Sequence, residues 1–294
     1  MFPGMPRTVI AGCGYIGTAL GLELASEGHD VFGLRRDPSR LPDSIHPLPA
    51  DLGRRESPLV LPERIDFAVY CVAPDSGTEA AYRLAYLDGL ESFLGALKQQ
   101  GERPRRIFLA SSTSVYSQRR GEWIDEASTA SPSRYAGEIL VDAERLLLAS
   151  GFDATIVRFG GIYGPGRTRL VEQVECGDAL LDPEPHFANR IHRDDAAGLL
   201  RHLISTPAAE ELYLGVDCEP ADEAEVLRFL AEELGVTSPR TRGVEDPPAI
   251  RRAGSKRCRN DRVRATGYGY RYPSYRAGYP GVIRAYRKAR VEAG

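Results

Sequence analysis

TVIAGCGYIGTALGLELASEGHDVFGLRR, residues 8–36, contains the pattern that most strongly indicates the fold. Residues 8–11 form a short apolar run that predicts a buried strand, and the Gly-Cys-Gly-Tyr-Ile-Gly loop of residues 12–17 follows it directly. Apolar residues then recur every three to four positions, which predicts one buried helix face, before a second apolar run at 31–34. We therefore predict a strand, a glycine-rich turn, a helix and a second strand, in that order.

A glycine-rich turn between a strand and a helix is the usual place for a bound dinucleotide. Glycine permits a tight turn and lets a pyrophosphate approach backbone N–H groups, while the helix N-terminus adds partial positive charge. The pattern GxGxxG alone is weak evidence, but the strand and helix around it strengthen the prediction, and a turn without a ligand is the alternative. The predicted cofactor-binding residues here are Gly12, Cys13, Gly14, Tyr15, Ile16 and Gly17.

The end of the second predicted strand bears on the choice of cofactor. A site for NAD(H) usually places Asp or Glu about 20 residues after the first glycine, to bind the ribose hydroxyls. This chain has Arg35 and Arg36 there, and a planar guanidinium can pair with a 2′-phosphate through two hydrogen bonds. We predict that NADP(H) is preferred and that NAD(H) is the alternative cofactor; two solvated surface arginines are the simpler interpretation.

Strands and helices alternate through about the first 160 residues, which predicts the fold class. A long helix should bury one face that carries Leu84, Leu87, Leu90 and Leu94. Further apolar runs predict strands at 46–50, 67–72, 107–110 and 154–157. Such alternation implies a parallel sheet covered by helices on both faces. We predict an α/β protein with a doubly wound parallel sheet of the Rossmann type and a smaller C-terminal substrate lobe.

Composition limits the classes of function. The chain has 294 residues, a net charge of −3 and 42% hydrophobic residues, so no strong overall field marks it for nucleic acid or membranes. No apolar run reaches the roughly 18 residues of a transmembrane helix. The five cysteines are widely spaced and form no CxxC pair, which predicts reduced thiols and neither a metal site nor a disulfide framework. No signal-peptide pattern precedes the first strand, so we expect a cytoplasmic protein.

Three later segments together resemble one known family. These are LASSTSVY at 109–116, RFGGIYGPG at 158–166 and NRIHRDD at 189–195. They are similar, in order, to the SSxxVYG, RxxxxYGPG and NxIHxxD segments of extended short-chain dehydrogenases/reductases. The resemblance runs from about residue 8 to the end and is weak after about residue 215. The family comprises nucleotide-sugar epimerases, dehydratases and related ketoreductases, which pass a hydride between nicotinamide and a carbon that bears oxygen.

The resemblance implies roles for particular residues. Ser112 takes the place of the Ser or Thr that holds the substrate oxygen, and Tyr135 takes the place of the Tyr that moves its proton. Asp51 and Leu52 would flank the adenine, and the cofactor would also be lined by Cys71, Val72 and Ala73. Tyr116, Tyr163 and His192 are candidate substrate contacts, although a lone histidine is more often structural.

The resemblance also implies an organisation and partners. The dinucleotide-binding domain would take 1–160 plus 189–215, and the substrate-binding lobe 161–188 plus 216–294. A homodimer through the helices near 79–99 and 134–149 is a family expectation. The Arg- and Tyr-rich residues 251–290 fit a small substrate with a phosphate or carboxylate, or a solvated face with packed tyrosines. They could also contact single-stranded nucleic acid, but a pI near 6.0 argues against that partner.

One departure from the family pattern affects the chemistry. The family has Lys four residues after its Tyr, where this chain has Ile139, and Ala11 stands where the family usually has its first glycine. An unperturbed tyrosine, with a pKa of about 10, is almost entirely neutral at pH 7 and can donate a proton more readily than accept one. We therefore predict carbonyl reduction. A nucleotide-sugar epimerase or dehydratase, and an NADP(H)-sensing protein with impaired catalysis, are the alternatives.

Overall fold

The computed structural model describes residues 5–53, 59–247 and 254–293. The chain divides into two compact units. The first comprises Met1–Tyr116, Ala130–Arg158 and Ala196–Tyr213, and the second comprises Ser117–Thr129, Phe159–Asp195 and Leu214–Gly294. Among the described residues, no helix is both long and apolar enough to cross a membrane, and no group of three or more His, Cys, Asp or Glu side chains could hold a metal ion.

Thirteen strands are present in the described part of the chain. They are β1 (Arg7–Ala11), β2 (Asp30–Arg35), β3 (His46–Pro49), β4 (Phe67–Tyr70), β5 (Arg106–Ser112), β6 (Glu122–Ile124), β7 (Ala154–Phe159), β8 (Gly161–Tyr163), β9 (Phe187–Ala188), β10 (Arg190–His192), β11 (Leu212–Gly215), β12 (Ala221–Asp222) and β13 (Lys256–Cys258).

The α-helices carry the remaining regular structure. They are α1 (Tyr15–Ser26), α2 (Glu79–Arg83), α3 (Gly89–Gln99), α4 (Tyr135–Leu148), α5 (Arg169–Glu175), α6 (Arg193–Ile204), α7 (Glu223–Leu234), α8 (Asp261–Ala265) and α9 (Tyr275–Ala293). A π-helical turn, Leu84–Asp88, joins α2 to α3. Short 3₁₀ turns lie at Pro38–Arg40 and Thr113–Val115.

A seven-stranded sheet in the order β11-β7-β5-β4-β1-β2-β3 organises the fold. Strand β1 pairs in parallel with β2 on one side and with β4 on the other, so the strand order reverses direction at β1. In open sheets of this kind, ligands bind outside the carboxyl ends of the strands at such a reversal. The predicted doubly wound α/β sheet is confirmed, and the glycine-rich loop lies at its reversal point.

Each unit has its own apolar core. The first is built from one face of the sheet and the helices that cover it, with Val9, Ala68, Tyr70, Leu90, Phe93, Leu97, Ile107, Leu109, Leu147 and Ile156 among its buried members. In the second unit, paired strands β8–β10, β9–β12 and β6–β13 accompany a helical core. Its buried members include Val171, Val174, Leu227, Leu230, Tyr275, Tyr279, Val282 and Ile283.

The predicted leucine stripe is wrong at its first position. Leu90 and Leu94 are buried as expected, but the Leu84 side chain is 43% exposed. The cause is the π-helical turn, in which each hydrogen bond spans one more residue than in an α-helix. The additional residue rotates the preceding segment away from the face that α3 buries, so one continuous stripe cannot form.

Candidate functional site

The first glycine of the loop is required by its backbone and by its neighbour. Gly12 adopts φ +81°, in the left-handed region that favours glycine. A Cβ at this position would lie 2.5 Å from the backbone nitrogen of Val72, just after β4. The N–H groups of Gly12 and Cys13 both donate to the carbonyl of Leu34, at 3.1 and 2.9 Å. These contacts fix the loop between the ends of β2 and β4.

The other two glycines have different roles. A Cβ on Gly17 would lie 2.8 Å from the carbonyl oxygen of Gly12, so α1 packs directly on the loop. A Cβ on Gly14, by contrast, would meet nothing closer than that same oxygen at 3.8 Å, and Gly14 is exposed. Helix α1 begins at the next residue, so the open side of Gly14 faces the N-terminal end of a helix. A helix N-terminus favours the negative charge of a pyrophosphate.

Two thiols lie at the loop, and both are neutral near pH 7. Burial raises the pKa of Cys13 and also that of Cys71, which follows β4. The Cys71 thiol donates to the carbonyl of Gly12 at 3.3 Å. Val72 is half-buried and Ala73 is exposed. The segment predicted to line the cofactor therefore adjoins the loop without adding a negative charge.

The two predicted phosphate-binding arginines are held differently. Half-buried Arg35 donates through Nη1 to the carbonyl of Cys13 at 3.3 Å, so its guanidinium lies against the glycine loop. Exposed Arg36 forms two hydrogen bonds of 2.6 Å with the Asp75 carboxylate. This pairing raises the pKa of Arg36 and lowers that of Asp75. The sequence offered no signal for Asp75, because it is 39 residues away along the chain.

The predicted adenine-flanking residues, Asp51 and Leu52, follow β3, which pairs with β2. Asp51 accepts a hydrogen bond of 3.1 Å from the Gly53 N–H and so shapes the turn after β3. Leu52 is half-buried and packs against the core of the first unit. Both residues lie in this unit with the glycine loop.

Ser112 and Tyr135 also belong to the first unit. Ser112 ends β5, and its hydroxyl accepts a 3.1 Å hydrogen bond from the Ser114 N–H, which caps the following 3₁₀ turn. Tyr135 begins α4, is 36% exposed and donates its hydroxyl hydrogen to the carbonyl of Gly77. A Cβ on Gly137 would lie 2.6 Å from the carbonyl oxygen of Ser114. The absence of that atom lets the start of α4 pack on the turn after Ser112.

A buried polar network lies behind these residues. Arg158 on β7 makes two hydrogen bonds to Glu144 on α4, at 3.0 and 2.6 Å, and a third, of 2.7 Å, to the Tyr116 hydroxyl. The Ser111 hydroxyl also donates to Glu144, at 2.6 Å. Tyr116, predicted to contact substrate, is only 1% exposed. Sequence reasoning missed the network, although a glutamate on the apolar face of α4 was a usable signal.

Tyr163 and His192, the other predicted substrate contacts, belong to the second unit. The Tyr163 ring stacks on Tyr279 with centroids 4.6 Å apart and meets His192 edge-on at 5.3 Å. His192 Nδ1 accepts a 3.2 Å hydrogen bond from the Asp194 N–H. Burial lowers the pKa of His192 and raises that of Tyr163, so both rings are neutral near pH 7.

Asp195 fastens the tyrosine-rich tail within the second unit. This fully buried carboxylate accepts hydrogen bonds from the Tyr268 hydroxyl at 3.0 Å and from the N–H groups of Arg271 and Tyr272, both at 2.8 Å. Several tail tyrosines are buried, namely Tyr268, Tyr275 and Tyr279. The tail therefore contains the packed tyrosines that the sequence offered as one interpretation; residues 251–253 lie outside the described part of the chain.

Asp217 is a buried carboxylic acid from which we expect a pH-dependent stability. It is buried, its Oδ1 accepts from the Glu219 N–H at 3.2 Å, and its Oδ2 has no hydrogen-bond partner. Burial raises the pKa of Asp217 well above the usual value, and it outweighs the hydrogen bond from the Glu219 N–H and the charge of Arg190, which both lower that pKa. An acid whose pKa is raised on folding destabilises the folded state as pH rises from its unfolded pKa towards its folded one.

Asp217→Asn should therefore flatten the pH dependence of the melting temperature. Near neutrality it should raise the melting temperature by roughly 2–4 °C for each kcal/mol gained in the free energy of unfolding. The amide keeps an acceptor for Glu219 and carries no charge to desolvate. Thermal melts between about pH 5 and pH 8 test this. Asp261→Asn, which removes an exposed carboxylate, should leave the profile unchanged. Parallel profiles for Asp217→Asn and wild type would rule out this role for Asp217.

Comparisons with known proteins identify the family. The family of NAD(P)H-binding proteins matches residues 12–207, which is about two thirds of the chain. A Streptomyces protein named 3-diazoavenalumate denitrifying reductase is 28% identical, over 92% of this chain and 98% of its own length. The family match covers the glycine loop, the arginines at the end of β2 and the segments with Ser112 and Tyr135.

Solved structures match the whole fold. A Methylobacillus flagellatus protein described as an NAD-dependent epimerase/dehydratase is 34% identical, with a TM-score of 0.80, over 97% of this chain and all of its own. The human epimerase family protein SDR39U1, solved with NADPH, has a TM-score of 0.76 over 95% of this chain and 99% of its own; at 19% identity its likeness concerns the fold alone. The chain therefore belongs to the NAD(P)H-binding, epimerase/dehydratase-like short-chain dehydrogenases/reductases.

Proposed function

We propose that this protein is an NADP(H)-dependent oxidoreductase that reduces a carbonyl or related group of a small metabolite bearing a phosphate or carboxylate. The observation that carries the proposal is Ile139, four residues after Tyr135. Its side chain is only 2% exposed and packs among the apolar residues of α4. An isoleucine here cannot stabilise a tyrosinate, so Tyr135 is suited to give a proton rather than to take one.

The roles of the chain's own residues follow from this. The Ser112 hydroxyl would hold the carbonyl oxygen, and Tyr135 would donate its proton to that oxygen as the bond is reduced. In the structure the Tyr135 hydroxyl already acts as a donor, to Gly77. NADPH, when bound, supplies the hydride. The proton lost from Tyr135 is restored from water, which balances the reaction.

Two further observations support the reductive direction and the cofactor. Arg35 and Arg36 offer guanidinium groups at the end of β2, where a 2′-phosphate would add two negative charges. The Streptomyces relative is named as a reductase. The arginines bear on the choice between NADPH and NADH, and the name of the relative bears on reduction rather than epimerisation.

Tyr135→Phe should lower the rate of reduction by about 10²–10⁴, the range expected when a general acid is lost. The measurement uses deuterium-labelled NADPH and a panel of aldehydes and keto acids, and mass spectrometry detects deuterium in the product. Tyr82→Phe is the matched control. Tyr82 meets the Tyr135 ring edge-on at 5.7 Å, and its replacement keeps that ring contact.

Three results would contradict the proposal. The first is full activity of Tyr135→Phe, which would show that Tyr135 is not the proton donor. The second is a wild-type enzyme that oxidises alcohols readily with NADP⁺ and fails to reduce the matching ketones, which would favour epimerase- or dehydratase-type chemistry. Binding of NADPH without deuterium transfer to any compound would favour a sensing role.

A further inference from the structure

The ion pair between Arg36 and Asp75 spans the predicted cofactor site. Arg36 follows the last residue of β2, and Asp75 lies five residues after the end of β4. Strands β2 and β4 are the two neighbours of β1. A contact between the ends of β2 and β4 therefore crosses the carboxyl end of β1, where the glycine-rich loop begins.

The Arg36–Asp75 ion pair is bidentate. Both guanidinium Nη atoms lie 2.6 Å from the two carboxylate oxygens. Both side chains are about 60% exposed, so solvent ions and ligands can reach them. Arg35 does not share this partner, because its Nη1 is directed to the carbonyl of Cys13. Of these two arginines, Arg36 is thus the one that is paired with a carboxylate.

We propose that Asp75 is a specificity-determining residue, which occupies Arg36 in the free protein and is exchanged for the 2′-phosphate of NADPH. The inference rests on the proposed preference for NADP(H). A phosphate monoester carries up to two negative charges and three acceptor oxygens, so it can replace a carboxylate on a guanidinium. NADH offers only ribose hydroxyls at this position and leaves the ion pair intact. Asp75 therefore weakens NADPH binding and has little effect on NADH.

Asp75→Asn should tighten NADPH binding about fivefold, the upper end for an exposed ion pair, and change NADH binding less than about twofold. Calorimetric titration of the full-length protein with each nucleotide gives both values. The gain should shrink as salt is added, since the pair is exposed. In an Arg36→Ala background, Asp75→Asn should have no effect on NADPH, because the counter-ion then has no guanidinium to occupy.

Asp37→Asn is the matched control. It removes the same charge one residue from Arg36, but Asp37 accepts hydrogen bonds from Ser39. Equal gains from Asp37→Asn and Asp75→Asn, or equal gains for NADPH and NADH, would overturn the inference and leave the proposed function standing. A wild-type protein that binds NADH but not NADPH would overturn both. The inference is supported when affinity increases for NADPH and not for NADH, in Asp75→Asn and not in Asp37→Asn, and only in proteins that keep Arg36.

Discussion

Gly12→Ala is expected to lower the free energy of unfolding by about 3 kcal/mol and to remove measurable NADPH binding. Two costs add at this position. Alanine is strained at φ +81°, and its methyl group would lie 2.5 Å from the Val72 nitrogen, so the loop after β4 must move away. Because this loop and the glycine turn together are the predicted cofactor site, the same movement should misplace both.

Urea unfolding and calorimetric titration measure the two parts of this prediction. Gly95→Ala is the matched control, since a Cβ on this glycine of α3 meets no heavy atom within 4 Å. It should stabilise the helix by up to about 1 kcal/mol and leave NADPH binding unchanged. If Gly12→Ala unfolds at the wild-type urea concentration, the close approach of Val72 does not restrict this position.

Glu144→Ala should destabilise the protein by about 3–5 kcal/mol, as expected when one partner of a buried ion pair is removed. The substitution leaves the Arg158 guanidinium buried without its carboxylate and deprives the Ser111 hydroxyl of its acceptor. Chemical unfolding at neutral pH provides the measurement. The loss should be large because Glu144 and Arg158 are both nearly inaccessible to water.

Two controls separate the ion pair from simple loss of a side chain. Glu138→Ala removes an exposed glutamate from the same helix and should change stability by less than about 0.5 kcal/mol. The double variant Glu144→Leu/Arg158→Met replaces both charges with apolar groups and should recover most of the lost stability. A Glu144→Ala protein as stable as wild type would show that Arg158 finds another way to be neutralised.

The glycine loop, the first strands and the parallel α/β class of the sheet could be predicted because their signals are local. An apolar run, a loop with glycines at fixed spacing and a 3.6-residue repeat all lie within the short stretch from residue 8 to residue 36. The predicted first strand, 8–11, differs from β1 (Arg7–Ala11) by one residue. The physical requirements at Gly12 and Gly17 were also predictable in kind, since a tight turn and close helix packing both exclude a Cβ.

The parts that the sequence did not predict depend on contacts between distant residues. Asp75 reaches Arg36 across 39 positions, and Asp195 reaches the tail across more than 70. No local pattern specifies either partner. The end of β4 was predicted at Val72 but lies at Tyr70. The Cys71 N–H still donates to the Ala11 carbonyl at 2.8 Å, and the backbone of Val72 then packs against Gly12. This contact with a residue 60 positions away has no local signal.

The π-helical turn at Leu84–Asp88 has a consequence for insertions and deletions in this chain. A π-turn is equivalent to an α-helix with one residue inserted, and each residue of a helix accounts for about 100° of rotation. Deleting one residue there would restore a regular helix and turn Leu84 towards the buried side. The deletion would also rotate the preceding segment, which contains Gly77. The Gly77 carbonyl, which now accepts a hydrogen bond from the Tyr135 hydroxyl, would then move away from it. The number of residues in this turn thus determines how the segment that contacts Tyr135 is rotated about the helix axis, relative to the buried face of α3.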